Sequence, residues 1–292
     1  MFKLEVCIPF YLDVECLHAC LDAVKRFVKP EHVLVNNASP EIDITQICEE
    51  SELPCTITNQ ARIQNKVYTD HCGSLDHLFS KTESDTVLFL DQDCLLTRPI
   101  TPLLKRIEKG TVLLGPLDLF CVTGDHVKGQ KIHNFVARLT PIPGYIHTSF
   151  MLMNAKVVRE KFGGTPFRYP SNVKPYGYGV LGAEAYYGIT YYCRKAALPI
   201  DFMFMLPGCY GTCAELAYDN KVYGVHLWYS SRVIGMNPDE LLDYAWEDGV
   251  QEDGRGNWVL GNVEVGWLQS EKKRFLQDYW GGKLKIKWGL HY

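Results

Sequence analysis

The sequence TVLFL at residues 86–90 is followed directly by Asp91-Gln92-Asp93. An uninterrupted run of β-branched, aliphatic and aromatic residues is typical of a central strand that is buried on both faces of a sheet. Ligands of open α/β sheets bind beyond the carboxyl ends of the strands, so both carboxylates are expected at that edge. Together they can hold Mg²⁺ or Mn²⁺ and leave coordination positions for phosphate oxygens. The alternative is an acidic turn after a core strand.

The segments around this strand alternate between strand and helix patterns, which indicates an α/β fold with a mostly parallel central sheet flanked by helices. Strands are predicted at residues 4–9, 32–35, 55–58, 86–90, 111–114, 149–153 and 222–228, and helices at 14–27, 75–80, 183–195 and 267–279. Residues 123–144 and the glycine-rich residues 163–182 are predicted as loops. We expect one domain at residues 1–245 and a C-terminal extension at residues 246–292 that packs on it.

The composition is that of an ordinary globular enzyme: 292 residues, 47% hydrophobic and 22% charged. A net charge of −4 disfavours nucleic acid as the main partner. The odd number of cysteines, 11, and an N-terminus without an apolar signal region favour a reduced, cytoplasmic protein. No apolar run is long enough to span a bilayer. The pairs Cys16/Cys20 and Cys209/Cys213 are expected to be small buried hydrophobes rather than zinc ligands.

Two loops before the aspartates have the residues of a nucleotide pocket. Pro9, Phe10 and Tyr11 end the first predicted strand, and Asn36 and Asn37 end the second. Neighbouring parallel strands would bring both loops to the same edge of the sheet. There Asn36 could hydrogen-bond a base or ribose, and an aromatic ring could pack on it. Two ordinary polar turns are the alternative.

Later segments supply further candidates. His226 ends a late apolar run, and a neutral imidazole can complete a metal site. Ser230 and Arg232 follow it and could hold phosphate oxygens. Glu184 stands at the start of a predicted helix, where it could accept the proton of an acceptor hydroxyl. The simpler alternatives are a satisfied polar histidine beside a strand and a first-turn glutamate that favours the helix dipole.

Taken together, residues 4–232 resemble the family-2 glycosyltransferases of the GT-A fold. The resemblance is carried by Ile8-Pro9-Phe10-Tyr11 after the first strand, by Asn36-Asn37-Ala38-Ser39 after the second, and by the strand with Asp91-Gln92-Asp93. Asn36 stands where the family pattern has an acid. Gly73-Ser74-Leu75-Asp76 matches the polar helix start that lies under the donor in this family, which implies donor contacts for Ser74 and Asp76.

The resemblance implies a metal-dependent transfer from a nucleotide-diphospho-sugar, often UDP-linked, with Mn²⁺ or Mg²⁺ on Asp91, Asp93 and His226. It places Gln92 with the donor-binding residues. Glu184 is the match to the family's acidic catalytic motif, although the second acid of that motif is missing. As a base, Glu184 would imply direct displacement with inversion. The acceptor would be a glycan, a lipid-linked glycan or another hydroxyl compound, a modified nucleobase included.

Two other classes remain open at this point. A haloacid-dehalogenase-type phosphatase also uses two aspartates after an apolar strand, but its motif lies near the N-terminus and is followed by Thr or Val where Leu95 stands here. A non-catalytic sugar- or nucleotide-binding module could use the tail tryptophans to stack on sugar rings, although packing on the main domain explains them equally well. A P-loop hydrolase is excluded because its glycine-rich motif is missing.

Overall fold

The structure of the protein is a computed structural model that describes residues 3–60, 70–118, 145–167, 185–210, 213–227, 250–252, 258–260 and 263–288. The helices within these ranges are α1 (Val14–Phe27), α2 (Thr45–Glu50), α3 (Asp70–Lys81), α4 (Thr101–Glu108), α5 (Ala155–Phe162), α6 (Ala185–Lys195) and α7 (Val265–Trp280). The strands are β1 (Leu4–Phe10), β2 (His32–Asn37), β3 (Cys55–Thr58), β4 (Thr86–Leu90), β5 (Cys94–Leu96), β6 (Leu113–Asp118), β7 (Tyr145–Ile146), β8 (Phe150–Asn154), β9 (Ile200–Pro207), β10 (Cys213–Tyr218), β11 (Lys221–Leu227), β12 (Val250–Glu252), β13 (Trp258–Leu260) and β14 (Val263–Glu264). Each predicted strand and helix is present, with ends that differ by a few residues.

One large mixed sheet organises the fold, in the strand order β3-β2-β1-β4-β8-β6-β9-β10-β11-β5, with β7 paired to β6. The strands β3, β2, β1 and β4 are parallel, as are β6 and β9, whereas the remaining pairs of this sheet are antiparallel. The α/β class is therefore confirmed. The strands β1 to β4 form the parallel, N-terminal part of the sheet. Strand β8 pairs antiparallel with β4 and begins a second part, in which β6 and β9 are the one parallel pair among the described strands.

Helices cover both faces of the sheet, and β4 shows this directly. Leu88 and Leu90 point into the core that contains α1, α4 and α7, whereas Val87 and Phe89 point into the core that contains α3, α5 and α6. All four side chains are fully buried. The expectation of a strand buried on both faces is thus confirmed, and the end of β4 is held rigidly for the two aspartates that follow.

The C-terminal helix α7 shares the first of these cores. Phe275, Leu276 and Tyr279 are buried in it beside residues of α1. The chain then continues along β10, where the buried carboxylate of Glu215 accepts hydrogen bonds of 2.7 Å from the backbone N–H groups of Lys287 and Trp288. The division of the chain after residue 245 stays a prediction.

Three tryptophans of the C-terminal tail are 42–45% exposed: Trp267, Trp280 and Trp288. Packing therefore occupies only part of each ring. As expected for small buried hydrophobes, Cys16, Cys20 and Cys213 are buried, while Cys209 is half-buried. Among the described residues, no helix is both long and apolar enough to cross a bilayer.

Candidate active site

The turn after β4 places the two aspartates at the edge of the sheet. The backbone N–H of Asp91 donates to the carbonyl of Ser149, which precedes β8, over 3.2 Å. The N–H of Cys94 donates back to the carbonyl of Asp91 over 2.9 Å, which closes a tight turn. The chain emerges from this turn as β5, a short strand that the sequence pattern did not indicate.

Strand β5 brings the distant histidine to the aspartates. It pairs antiparallel with β11, with Cys94 opposite His226, and the N–H of Leu227 donates to the carbonyl of Asp93 over 3.0 Å. His226 Nε2 consequently lies 3.2 Å from Asp93 Oδ1 and 3.8 Å from Asp91 Oδ2. The ligand atoms of the three residues all lie within 4.8 Å of one another, the one such group of potential metal ligands in the described part of the chain.

This group fits a divalent cation. Two carboxylates and an imidazole offer oxygen and nitrogen ligands, and their spacing allows one ion to contact all three. The side chains of Asp91, Asp93 and His226 are 16%, 11% and 6% exposed, so the site is sheltered but open to solvent on the side of Asp91. Two carboxylates this close repel each other, and a cation between them would remove that repulsion.

Two buried thiols lie beneath the carboxylates. Cys20 Sγ donates to the carbonyl of Asp91 over 3.8 Å. Burial raises the pKa of the Cys20 thiol well above its ordinary value, and the negative charges of Asp93 and Asp91 raise it further. Burial likewise raises the pKa of the Cys94 thiol, and the neighbouring Cys20 and the two aspartates raise it further. Neither thiol belongs to the group of potential ligand atoms that lie within 4.8 Å of one another, so we interpret these cysteines as supports of the turn and not as metal ligands.

A second histidine, which the sequence analysis missed, stands beside this group. His147 is 5% exposed, and its ring centroid lies 5.4 Å from that of His226. Its Nδ1 accepts the N–H of Ser149 over 3.0 Å, so the neutral ring carries its proton on Nε2. The sequence pattern predicted the strand at residues 149–153 but not its antiparallel pairing with β4. Because that pairing brings His147 to the aspartates, nothing in the local pattern indicated that His147 belongs to the site.

Gln92, between the two aspartates, binds the neighbouring loop. Its Oε1 accepts the backbone N–H of Tyr11 over 2.6 Å, and its Nε2 donates to the carbonyl of Tyr11 over 2.6 Å. Gln92 is 5% exposed. The side chain predicted to contact the donor is thus engaged with the loop that follows β1, and it fixes that loop to the aspartate turn.

The two loops predicted for the nucleotide do lie side by side. Pro9 pairs with Asn36 and Phe10 with Asn37 in the parallel register of β1 and β2. Phe10 is fully buried in the core, so of the two aromatic candidates Tyr11 is the one with partial exposure. Asn37 is 4% exposed and donates from Nδ2 to the carbonyl of Ile42 over 2.9 Å.

Asn36 links this edge to Ser74, which lies within α3 (Asp70–Lys81) and not at its start as the sequence pattern had predicted. Its Nδ2 donates to Ser74 Oγ over 2.7 Å, and its Oδ1 accepts from Thr58 Oγ1 and from the N–H of Gln60 over 3.0 and 3.1 Å. Asn36 is fully buried. Its amide therefore organises three segments, and its predicted contact with a base or ribose stays a prediction.

In the described part of the chain, the remaining candidate residues are not shown in contact with the metal group. Asp76, the second residue implied in α3, is 4% exposed, and its Oδ1 accepts the N–H of Phe167 over 3.0 Å. Glu184, Ser230 and Arg232 lie outside the described residues. Their roles stay predictions.

Comparison with known proteins adds a family match. The profile of the family described as Glycosyl transferase family 2 matches residues 5–173, which include β1, β2, the aspartate turn and His147. None of the curated proteins matches the sequence.

Several solved structures are similar at low identity. One is the mannosyltransferase PcManGT from Pyrobaculum calidifontis in complex with GDP-Man and Mn²⁺, at 15% identity and a TM-score of 0.43, covering 69% of this chain and 54% of that one. Another is mouse xyloside xylosyltransferase 1 in its apo form, at 14% identity and a TM-score of 0.44, covering 69% and 84%. A third is glucosyl-3-phosphoglycerate synthase from Mycobacterium tuberculosis with Mn²⁺ and UDP-glucose, at 16% identity and a TM-score of 0.38, covering 54% and 57%. The chain spans little more than half of the length of the first and third of these proteins.

Proposed function

Because the chain belongs to glycosyl transferase family 2, we propose that it transfers a sugar from a nucleotide-diphosphate donor to an acceptor hydroxyl with a divalent cation. Its fold is the GT-A fold. A UDP-sugar is the first donor to test. The phosphatase alternative is set aside, because the aspartate motif lies within the residues that match the glycosyltransferase family.

The observation that carries this proposal is the convergence of Asp91, Asp93 and His226 within 4.8 Å at the carboxyl end of β4. A cation held there would neutralise charge on the departing diphosphate. The nitrogen ligand favours Mn²⁺ over Mg²⁺, since Mg²⁺ is usually bound through oxygen atoms alone. The carboxylate of Asp91, the most exposed of the three side chains, is in addition a candidate acceptor for a ribose hydroxyl.

The other donor contacts follow from the same edge of the sheet. Tyr11, partly exposed and clamped by Gln92, is proposed to pack on the base. Gln92 then acts on the donor through Tyr11, which refines its predicted role. Ser230 and Arg232 are proposed to hold phosphate oxygens, by their position just after His226 in the sequence.

Glu184 is proposed as the base that takes the proton from the acceptor hydroxyl. A single base with direct attack on the sugar would invert the anomeric centre. If Glu184 only binds the acceptor, a retaining reaction through the leaving phosphate remains the alternative. The acceptor can be a glycan, a lipid-linked glycan or another hydroxyl compound, a modified nucleobase included.

The first experiment compares donor binding and hydrolysis in two variants. Asp93→Ala removes a proposed metal ligand, and Asp85→Ala removes an exposed carboxylate before β4 as the matched control. Thermal-shift screening of UDP-, GDP-, CMP- and dTDP-sugars with and without Mn²⁺ identifies the donor for wild type. We expect Asp93→Ala to lose the Mn²⁺-dependent shift and hydrolysis, and Asp85→Ala to retain both.

Two outcomes would count against the proposal. Full Mn²⁺-dependent hydrolysis by Asp93→Ala would remove the proposed metal site. Donor binding by the wild type with no hydrolysis and no transfer to any acceptor would favour the non-catalytic binding module instead.

A further inference from the structure

The loop between β1 and α1 is held in a costly conformation. Leu12 has φ of 59°, in the left-handed region that a leucine adopts only under restraint. The backbone N–H of Leu12 donates to Ser39 Oγ over 3.0 Å. On the N-terminal side of Leu12, the Gln92 amide holds Tyr11 by hydrogen bonds to its backbone. On the other side lies Asp13, which caps α1 by accepting the N–H of Cys16 over 3.1 Å. Several tethers thus fix a short segment that faces the aspartate turn.

One tether comes from far along the chain. Lys272 of α7 places its Nζ 2.9 Å from Asp13 Oδ1. The side chain of Asp13 is 1% exposed and that of Lys272 is 10% exposed, so this ion pair is largely shielded from water. The carboxylate of Glu15, 3.6 Å from the same Nζ, is 75% exposed and contributes less.

The charges of this pair are mutually dependent. Burial lowers the pKa of Lys272, but the charge of Asp13 and its hydrogen bond, together with Cys16 and Glu15, outweigh burial and leave the pKa above its ordinary value. The ammonium group is therefore charged at neutral pH. Without it, Asp13 would be a buried carboxylate without a counter-ion, which is strongly unfavourable. The position of residues 11–13 consequently depends on α7.

The helix α7 lies outside residues 5–173, which match the family. It nevertheless packs into the core beside α1, where Tyr279 donates to Asp22 over 2.7 Å. The same α1 carries Cys20, whose thiol reaches the carbonyl of Asp91. The C-terminal helix is therefore linked to both the loop after β1 and the aspartate turn.

We propose that Lys272 is a positioning residue of the donor site: through its buried ion pair with Asp13, the C-terminal helix holds the loop of residues 11–13 in its donor-binding conformation. This inference rests on the proposed function for the identity of the ligand. The restraint on the loop itself can be measured without any ligand.

The main variant is Lys272→Met, which keeps the aliphatic stem and removes the charge. Its control is Lys273→Met, which removes the neighbouring, exposed lysine of the same helix. Hydrogen–deuterium exchange without ligand should show that amides of residues 11–13 exchange about tenfold faster in Lys272→Met, while those of β4 keep their protection. Lys273→Met should match the wild type.

Binding of UDP with Mn²⁺, measured by calorimetry, supplies the functional readout. We expect Kd to rise about tenfold in Lys272→Met, with kcat for donor hydrolysis nearly unchanged, because a displaced loop weakens donor contacts while the metal group stays intact. Lys272→Arg, which keeps the charge, should recover most of the affinity. Unchanged exchange and unchanged Kd in a folded Lys272→Met would overturn the proposal.

A double variant covers the case in which Lys272→Met does not fold. Asp13→Asn with Lys272→Met removes both charges and keeps an acceptor for the helix cap. The positioning role predicts that it folds and still shows fast exchange at residues 11–13 and a raised Kd. A return of both values to those of the wild type would show that the pair serves charge balance only. Failure of the wild type to bind any nucleotide diphosphate would instead refute the proposed function, while the exchange data would still decide the restraint.

Discussion

Gln92→Met tests whether the residue between the two aspartates holds the loop after β1. Methionine has a similar length and fills the same buried space, but it neither donates nor accepts the two 2.6 Å hydrogen bonds to Tyr11. Each lost hydrogen bond is worth a net 0.5–1.5 kcal/mol, so the free energy of unfolding should fall by about 1–3 kcal/mol. The loss should reach the upper end of this range if no water molecule replaces Gln92 as the hydrogen-bond partner of the Tyr11 backbone.

Urea denaturation measures this change, with Gln46→Met as the matched control. Gln46 is exposed on α2, where its Nε2 donates to Glu50 Oε1. Its replacement should change stability by less than about 0.5 kcal/mol. If Gln92→Met is no more destabilised than Gln46→Met, the clamp contributes nothing, and the reasoning that ties the β1 loop to the aspartate turn is refuted. Under that reasoning Gln92→Met should also raise the KM for the donor.

Three further predictions concern the metal group, the base and the pH dependence of stability. Asp93→Ala should abolish Mn²⁺-dependent donor hydrolysis and leave the thermal midpoint within a few degrees of the wild type; a large loss of stability would mean that the carboxylate is structural. Glu184→Gln should keep donor affinity and lose sugar transfer, as measured with radiolabelled donor, and unaltered turnover would remove it as the base. Burial raises the pKa of the Asp201 carboxyl, but hydrogen bonds from Arg106, Thr111 and Tyr218 and the charge of Arg106 together outweigh burial and leave the pKa below its ordinary value. Because a lowered folded pKa stabilises the protein above the unfolded pKa, Asp201→Asn should be less stable than the wild type at pH 7, and the difference should shrink as the pH falls below about 4; an equal difference at pH 7 and pH 3 in urea unfolding would contradict this.

The sequence pattern predicted the parallel part of the fold well. Segments such as residues 86–90 and 14–27 have long, uniform or strictly periodic apolar patterns, and local pattern decides their structure. The short helix α2 and the three-residue strand β5 carry too few residues for any period to show. Strand β5 forms because it pairs with β11 across the fold, which a local pattern cannot reveal.

The same limit applies to the candidate site. Asp91 and Asp93 were identified because they follow their strand directly, and His226 because it ends a late strand. Their convergence depends on β5, which joins the two. Sequence alone likewise could not tell that the amides of Gln92 and Asn36 are engaged within the protein, because the partners of both amides belong to other segments.

His147 illustrates a further case. It lies beside the metal group because β8 runs antiparallel to β4, so the residues before β8 meet those after β4. An alternating strand–helix pattern favours parallel pairing and gives no reason to expect this neighbour. His147 was therefore missed because its place beside the aspartates depends on a strand pairing that the local pattern does not indicate.

The most direct test of the central claim is the anomalous difference density of Mn²⁺ in crystals soaked with MnCl₂ and UDP. We expect one strong peak within coordination distance of Asp91, Asp93 and His226, with the diphosphate oxygens completing the ion's ligands. A peak at any other position, or UDP bound with no manganese between the two aspartates, would contradict the central claim.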